Sequence, residues 1–322
     1  VHVTGGFTAL IATKILGPRR GRFYDLRTNA KLSEPNEIKG SSSALQILGS
    51  FILWFGWYGF NTGSALTIST EEKAHIAALA AVNTTLAAGA GGITALFTKL
   101  YINERRFGEP IFDLVAAMNG MLAGLVSITA GCGVMKPYGA LIMGGVAGWI
   151  YLAASSLLIK LCLDDAVDAI PVHLANGMWG MIGVGLFAYP EYLQIARGVS
   201  EHSGWFYELA NGSMDAKLLA AQLIAVLFIV GWVSVVMTPF FILLHYLGWF
   251  RADSLEEIVG LDISYHGGVS MQELDELPLE YTMNHRGSHK NDNDTLRKRV
   301  TNTTYTESVN DHVIEQRNDI DA

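Results

Sequence analysis

The sequence predicts an all-α, polytopic membrane helix bundle, on three observations. Half of the 322 residues are apolar and only 16% are charged, against roughly 25% in ordinary soluble domains. Six runs are long and apolar enough, or nearly so, to cross a hydrocarbon core about 30 Å thick, which takes about 20 residues in helical form. The charges gather in the stretches between those runs, and from Arg251 onward 15 Asp and Glu stand against 7 Lys and Arg. That difference equals the net charge of the whole chain, −8. Residues 1–250 are therefore electrically balanced, and the acidic excess belongs to a tail.

In chain order, residues 1–16 read as the remainder of a helix, because Val1-His2-Val3-Thr4 offers no initiator Met, basic n-region or cleavage site of a signal peptide. A basic segment follows, with Lys14, Arg19, Arg20, Arg22, Arg27, Lys31 and Lys39. The first full run covers 44–66, and the loop after it, 67–73, is acidic with a single Lys. The next run, 74–100, leads to Lys99, Arg105 and Arg106, and the one after, 111–134, leads only to Lys136. Residues 138–163 precede the acidic cluster 164–168. The fifth run, 170–189, is followed by a polar segment, 190–215. The last run, 218–250, is the longest; at about 1.5 Å per residue it must tilt or project, and Pro239 offers a kink point.

Because short cytoplasmic loops carry excess Lys and Arg, this alternation places the basic loops, the 164–168 loop and the tail in the cytoplasm, with 190–215 outside. The 34 glycines, many at helical spacing (Gly89 and Gly92, Gly144 and Gly148, Gly177, Gly180 and Gly183), are expected to let helix backbones approach closely. Cys132 and Cys162 show no metal-ligand spacing and no disulfide framework. No metal, cofactor or nucleic-acid partner is expected; the lipid bilayer is.

Polar residues at membrane depth carry the functional signal, since a charged side chain there costs at least about 2.5 kcal/mol on insertion scales. His2 lies roughly a dozen residues, about 18 Å along a helix, from the basic loop. His173 lies in the run whose cytoplasmic edge is marked by Asp168. Either histidine alone reads more simply as a satisfied packing residue, but two at similar depth suit passage of a small hydrogen-bonding solute or a proton, because imidazole donates at one nitrogen and accepts at the other while neutral. His245 and His75 read as interfacial. Asp168 is a candidate N-cap for the helix that begins with Pro171 near its start. Alternatively Asp164-Asp165-Ala166-Val167-Asp168 is a DDxxD site for Mg²⁺ and diphosphate, as in membrane prenyltransferases; that chemistry needs a second acidic motif, which the sequence lacks. Near the outer end of 44–66, Trp54-Phe55-Gly56-Trp57-Tyr58-Gly59-Phe60-Asn61-Thr62-Gly63-Ser64 reads either as an interfacial aromatic belt or as a cation-holding aromatic face beside a hydroxyl.

Four segments, Val1-His2-Val3-Thr4-Gly5-Gly6, Gly56 through Ser64, Asp164 through His173, and Glu256-Glu257-Ile258-Val259-Gly260-Leu261-Asp262-Ile263-Ser264-Tyr265-His266-Gly267-Gly268, stand in the order and at the separations typical of ammonium transporters of the Amt/Mep/Rh family. The sequence resembles that family nearly up to Gly268, plant-type members most. The resemblance implies a homotrimer in the plasma membrane, each subunit with eleven helices in two inverted halves around its own pore. By that comparison Val1 falls in the fifth helix, and the sixth to eleventh are complete. His2 and His173 resemble the paired pore histidines, Phe60 a gate phenylalanine, Ser64 and Trp57 part of the outer vestibule, and Asp168 the carboxylate beside the second histidine.

The implied substrate is ammonium or ammonia, with methylammonium as analogue: the cation sheds a proton outside, and ammonia passes the histidines, with or without proton co-transfer. No enzymatic activity is expected. An ammonium sensor on the same body is the alternative reading. Three regions follow: a partial membrane domain, 1–250; a cytoplasmic regulatory segment, 251–270, in which Ser264 takes the place of a phosphorylatable Thr; and a polar tail, 271–322, with a composition that favours disorder. Asn211-Gly212-Ser213 is a glycosylation sequon in the outer segment, and Asn83-Thr84-Thr85 is one inside a span.

Overall fold

The computed structural model describes residues 1–38, 40 and 42–261, and they are helical apart from loops and isolated bridges. Ser264 and the 271–322 tail lie outside the described residues. The chain divides into two units, Val1–Phe23 with Leu32–Arg251, and Tyr24–Lys31 with the residues from Ala252 onward.

The first unit opens with α1 (His2–Leu16), closed by Gly17 at φ 78°, whose amide donates to the Thr13 carbonyl at 3.1 Å. α2 (Ser43–Gly63) starts at Ser42, whose hydroxyl accepts from the Leu45 amide. α3 (Glu71–Phe107) starts at Thr70, which accepts from the Lys73 amide; it carries Glu71 and Glu72 in its first turn and Arg105 and Arg106 in its last, signs that complement the helix dipole. α4 (Leu114–Thr129) is capped by Asp113, and α5 (Pro137–Lys160) has proline at its first position, where no amide partner is needed. A π-helical segment, Ile170–Ala175, runs into α6 (Asn176–Phe187). Two short helices, α7 (Pro190–Arg197) and α8 (Trp205–Ala210), precede α9 (Lys217–Tyr246), which continues through Pro239.

The core lies among α3, α4 and α5, where Ala87, Ala88, Ala95, Ala123 and Ala147 are fully buried. Side chains this small leave backbone against backbone: a methyl added at Gly144 would collide with the Ala87 carbonyl. Not every glycine serves this way, since Gly89 faces open space. α9 is the contrast, buried only at Val226 and Val233, with Leu227, Phe228, Trp232 and Val235 between 63 and 73% exposed. Such a surface suits hydrocarbon rather than water. Among the described residues, α3, α5, the Ile170–Phe187 segment and α9 are long and apolar enough to cross a membrane.

The expected runs coincide with helices, although α2, from the run 44–66, is not among those four spans, and two further runs depart for physical reasons. The run 111–134 yields only α4's 16 residues, because Asp113 caps its start, its side chain accepting from the Ala116 amide at 2.9 Å, and Gly131 and Gly133 follow its end. Surrounded by α3 and α5, this helix does not have to match the bilayer thickness. The run 170–189 starts as a π-helix, which periodicity cannot signal. The segment 190–215 is tied back by the Tyr189 amide on the Val134 carbonyl at 2.7 Å and the Gly204 amide on the Ala188 carbonyl at 2.8 Å.

In the second unit, Tyr24 and Lys31 form an antiparallel bridge around a turn in which Asp25 accepts from the amides of Arg27 and Thr28. α10 (Ser254–Val259) is held by a reciprocal capping box between Asp253 and Glu256.

Candidate functional site

His2 begins α1, and His173 sits in the π-helical turn. Their segments cross where side chains are smallest: a methyl on Gly177 would lie 2.9 Å from the Val3 nitrogen and 3.1 Å from the His2 Cβ. Glycine there brings the two imidazoles into contact, with Nδ1 to Nδ1 at 3.3 Å and ring centroids 5.3 Å apart at 18°. Two neutral imidazoles meeting through like nitrogens must be opposite tautomers, one donating and the other accepting. One Nδ1–H thus lies between the two rings and the accepting ring carries its own proton on Nε2, while the Nε2 of His2 is buried without a protein partner among the described residues.

Trp57 stacks on His2, with ring centroids 5.3 Å apart at 13°. Its indole N–H donates to the Thr129 hydroxyl at 3.0 Å, and that hydroxyl donates to the Leu125 carbonyl at 2.8 Å. From sequence Trp57 reads as part of the outer entrance; in the structure it is buried against His2. The reason is helical register, since Trp57 and Asn61, four residues apart, share the inward face of α2 and are its buried residues. Phe60 meets both rings edge-on, at 5.9 Å from His2 and 5.9 Å from Trp57, and remains 42% exposed. Ser64, one turn beyond, is exposed, and its hydroxyl donates to the Phe60 carbonyl at 2.9 Å. The order from the α2 terminus inward is therefore Ser64, Phe60, Trp57, His2, His173.

Asp168 does not cap the following helix through its side chain. The capping carboxylate is Asp165, which accepts from the Ile170 amide at 2.6 Å. Asp168 adopts φ 56°, a left-handed conformation that Asp tolerates better than most residues, and this turns its carboxylate toward α5 and α4. It accepts from the Tyr151 hydroxyl at 2.9 Å, the Ser155 hydroxyl at 3.1 Å and, at 3.4 Å, the Asn119 amide. These three donors escaped the sequence reading. The signal was present as polar residues inside apolar runs, but nothing local linked them to Asp168. Asn176, fully buried, donates to the Pro171 carbonyl at 2.9 Å and braces the π-turn from within.

The histidine-bearing segments are also joined at the far end of α1. Arg19, three residues past α1, grips Asp164 through its backbone amide at 2.8 Å and its guanidinium at 2.7 and 2.8 Å, with Arg22 at 3.6 Å. The Asp164 side chain is 2% exposed. Burial works against its charge, but the Arg19 side-chain and backbone donors and the positive charges outweigh it and hold the carboxyl below its ordinary range. A cavity of about 170 Å³ lies here, lined by Arg19, Arg22, Ser155, Asp164, Asp165 and Asp168 among others. The DDxxD carboxylates are thus committed separately, Asp164 to arginine, Asp165 to a helix end and Asp168 to neutral donors. No cluster of potential metal ligands occurs among the described residues.

The Ammonium Transporter Family profile matches residues 1–271. Ammonium transporter 1 member 2 of Arabidopsis thaliana is 36% identical over 280 residues, covering 86% of this chain and 52% of the relative. The protein of that name from Oryza sativa subsp. japonica is 37% identical over 276 residues, covering 83% and 52%. Among solved structures, one titled Sensor Amt Protein superposes with a TM-score of 0.66 at 30% identity, covering 82% of this chain and 58% of its own. Saccharomyces cerevisiae Mep2 gives 0.65 at 26% identity, covering 79% and 51%. The chain spans about half the length of the curated relatives it matches.

Proposed function

The chain belongs to the ammonium transporter family, and we propose on that premise that the protein moves ammonium across a membrane, with His2 and His173 lining the path. The observation that supports this reading is the directly contacting imidazole pair, set beside the aromatic pair Trp57 and Phe60. An ammonium ion reaching Phe60 and Ser64 exchanges water for a ring face and a hydroxyl. Dragging the intact cation further into low dielectric is expensive, whereas neutral ammonia is not charged and still hydrogen-bonds to imidazole nitrogens. The cation therefore sheds its proton at the aromatic gate, and ammonia passes His2 and then His173. Trp57 stacks on His2, and Asp168, with its three donors, holds the turn that presents His173.

The family resemblance supports further assignments: a homotrimer, the plasma membrane, and a cytoplasmic C-terminus. A sensor on the same body is the alternative, and the curated relatives, named as transporters, favour transport. The test is methylammonium uptake by cells expressing a full-length protein. His2→Ala and His173→Ala should each abolish uptake at unchanged surface expression; unchanged uptake in either variant would refute the assigned roles.

A further inference from the structure

We propose that Asn211 is an N-glycosylation site, carrying an oligosaccharide on the segment 190–215. Two sequons of the type Asn-X-Ser/Thr fall in the described membrane unit, and the structure separates them. Asn83 is completely buried, and its side-chain amide donates to the carbonyls of Cys132 and Met135, both at 2.8 Å. That nitrogen is committed to holding α3 against the turn after α4. Asn211 is exposed, at the end of α8, where its backbone amide donates to the Tyr207 and Glu208 carbonyls at 3.1 Å, the Ser213 amide donates to the Glu208 carbonyl at 2.9 Å, and the Ser213 hydroxyl accepts from the Asp215 amide at 3.2 Å. Gly212 turns the chain at φ 78°. The side-chain nitrogen of Asn211 is free to take a substituent without disturbing any of these bonds.

The surroundings place this asparagine in water. Beyond it His202 and Asp215 pair at 2.8 Å, and Lys217, the first residue of α9, is 72% exposed at its side chain and 3.8 Å from Asp215. With 30 residues, α9 is about 45 Å long, more than a bilayer core of about 30 Å, which leaves length for its charged start to project into water. Glu208 accepts from the Ser203 amide at 3.0 Å and hydroxyl at 2.6 Å, which fixes α8 and the sequon on a braced scaffold.

In the modification, the Asn211 Nδ2 displaces the lipid diphosphate from C1 of a lipid-linked oligosaccharide. One N–C bond forms, one C–O bond breaks, the amide loses a proton to the transferase, and nothing is oxidised or reduced. The inference rests on the proposed orientation, in which Pro190 to Asp215 faces outward and the tail faces the cytoplasm. The tail supplies an internal control, because Asn293-Asp294-Thr295 and Asn302-Thr303-Thr304 are also sequons and in that orientation never meet the transferase.

The experiment expresses the full protein in a eukaryotic cell and follows its electrophoretic mobility with and without an endoglycosidase, together with methylammonium uptake. The expected result is a single-site shift, removed by the enzyme and equally by Asn211→Gln or Ser213→Ala, and insensitive to Asn293→Gln and Asn302→Gln, with uptake by Asn211→Gln unchanged. An unshifted protein that transports methylammonium overturns the site and leaves the transport reading standing. A shift that maps to the tail sequons overturns both the site and the orientation.

Discussion

At the scale of single residues, the function proposed here turns on what touches His2. Its imidazole meets His173 through Nδ1 and stacks on the indole of Trp57, so the ring is held by two contacts. Loss of the indole removes a ring stack worth about 0.5–1.5 kcal/mol and a hydrogen bond worth about 1 kcal/mol. Trp57→Leu should therefore lower methylammonium uptake about tenfold, since about 1.4 kcal/mol is a factor of ten. Trp57→Phe, which keeps a ring and loses only the bond to Thr129, should fall less. Equal uptake by the Leu variant and the wild type would show that the indole contact is dispensable. Sequence was a good guide to the histidines, because an ionisable group within an apolar run is conspicuous. It was a poor guide to Trp57, whose place depends on the inward face of α2, and to Tyr151, Ser155 and Asn119, which meet Asp168 only through tertiary packing.

At the scale of elements, α1 and the π-turn are fixed at two places, the crossing at Gly177 and the Arg19–Asp164 pair. Because Asp165 caps the same turn that Asp164 anchors, the ion pair tethers the base of both histidine segments. Truncating the arginine leaves a nearly buried carboxylate with only Arg22 nearby, and Arg19→Ala should destabilise the full-length protein by about 2–4 kcal/mol, read as a lower thermal midpoint in detergent. Exchanging the charges, Arg19→Asp with Asp164→Arg, should recover part of that loss if the electrostatic tether is what matters. The Asp164 carboxyl is held below its ordinary value of 3.8 in the folded protein. Its contribution is therefore complete above that value and fades only as pH falls through the lower folded-state value. The midpoint difference between wild type and Arg19→Ala should be constant from pH 5 to 8, and a difference that vanished by pH 6 would contradict the assignment. Element types and order were legible in the sequence because apolar run length dominates in a membrane. The π-helical start was not, since its hydrogen bonding departs from a helix only in register.

At the scale of the whole molecule, charge distinguishes the electrically balanced residues 1–250 from the acidic stretch that follows them. The regulatory reading of Ser264 predicts that Ser264→Asp, which mimics part of a phosphate's charge, strongly reduces methylammonium uptake in the assembled protein. Full activity of that variant would contradict it. The exposed apolar side of α9 predicts that Val235→Lys hinders membrane insertion of that helix by about 2.5–3.5 kcal/mol, measurable by the fraction of chains inserted. The two imidazoles whose contact forms the centre of the site are separated by 171 positions in the chain. At synthesis rates of about 5–20 residues per second, the second arrives on the order of ten to thirty seconds after the first. For that interval the first imidazole stands without the second, and the contact at the centre of the site does not exist. The site is therefore assembled late, by a segment made after the first five helices are already in place.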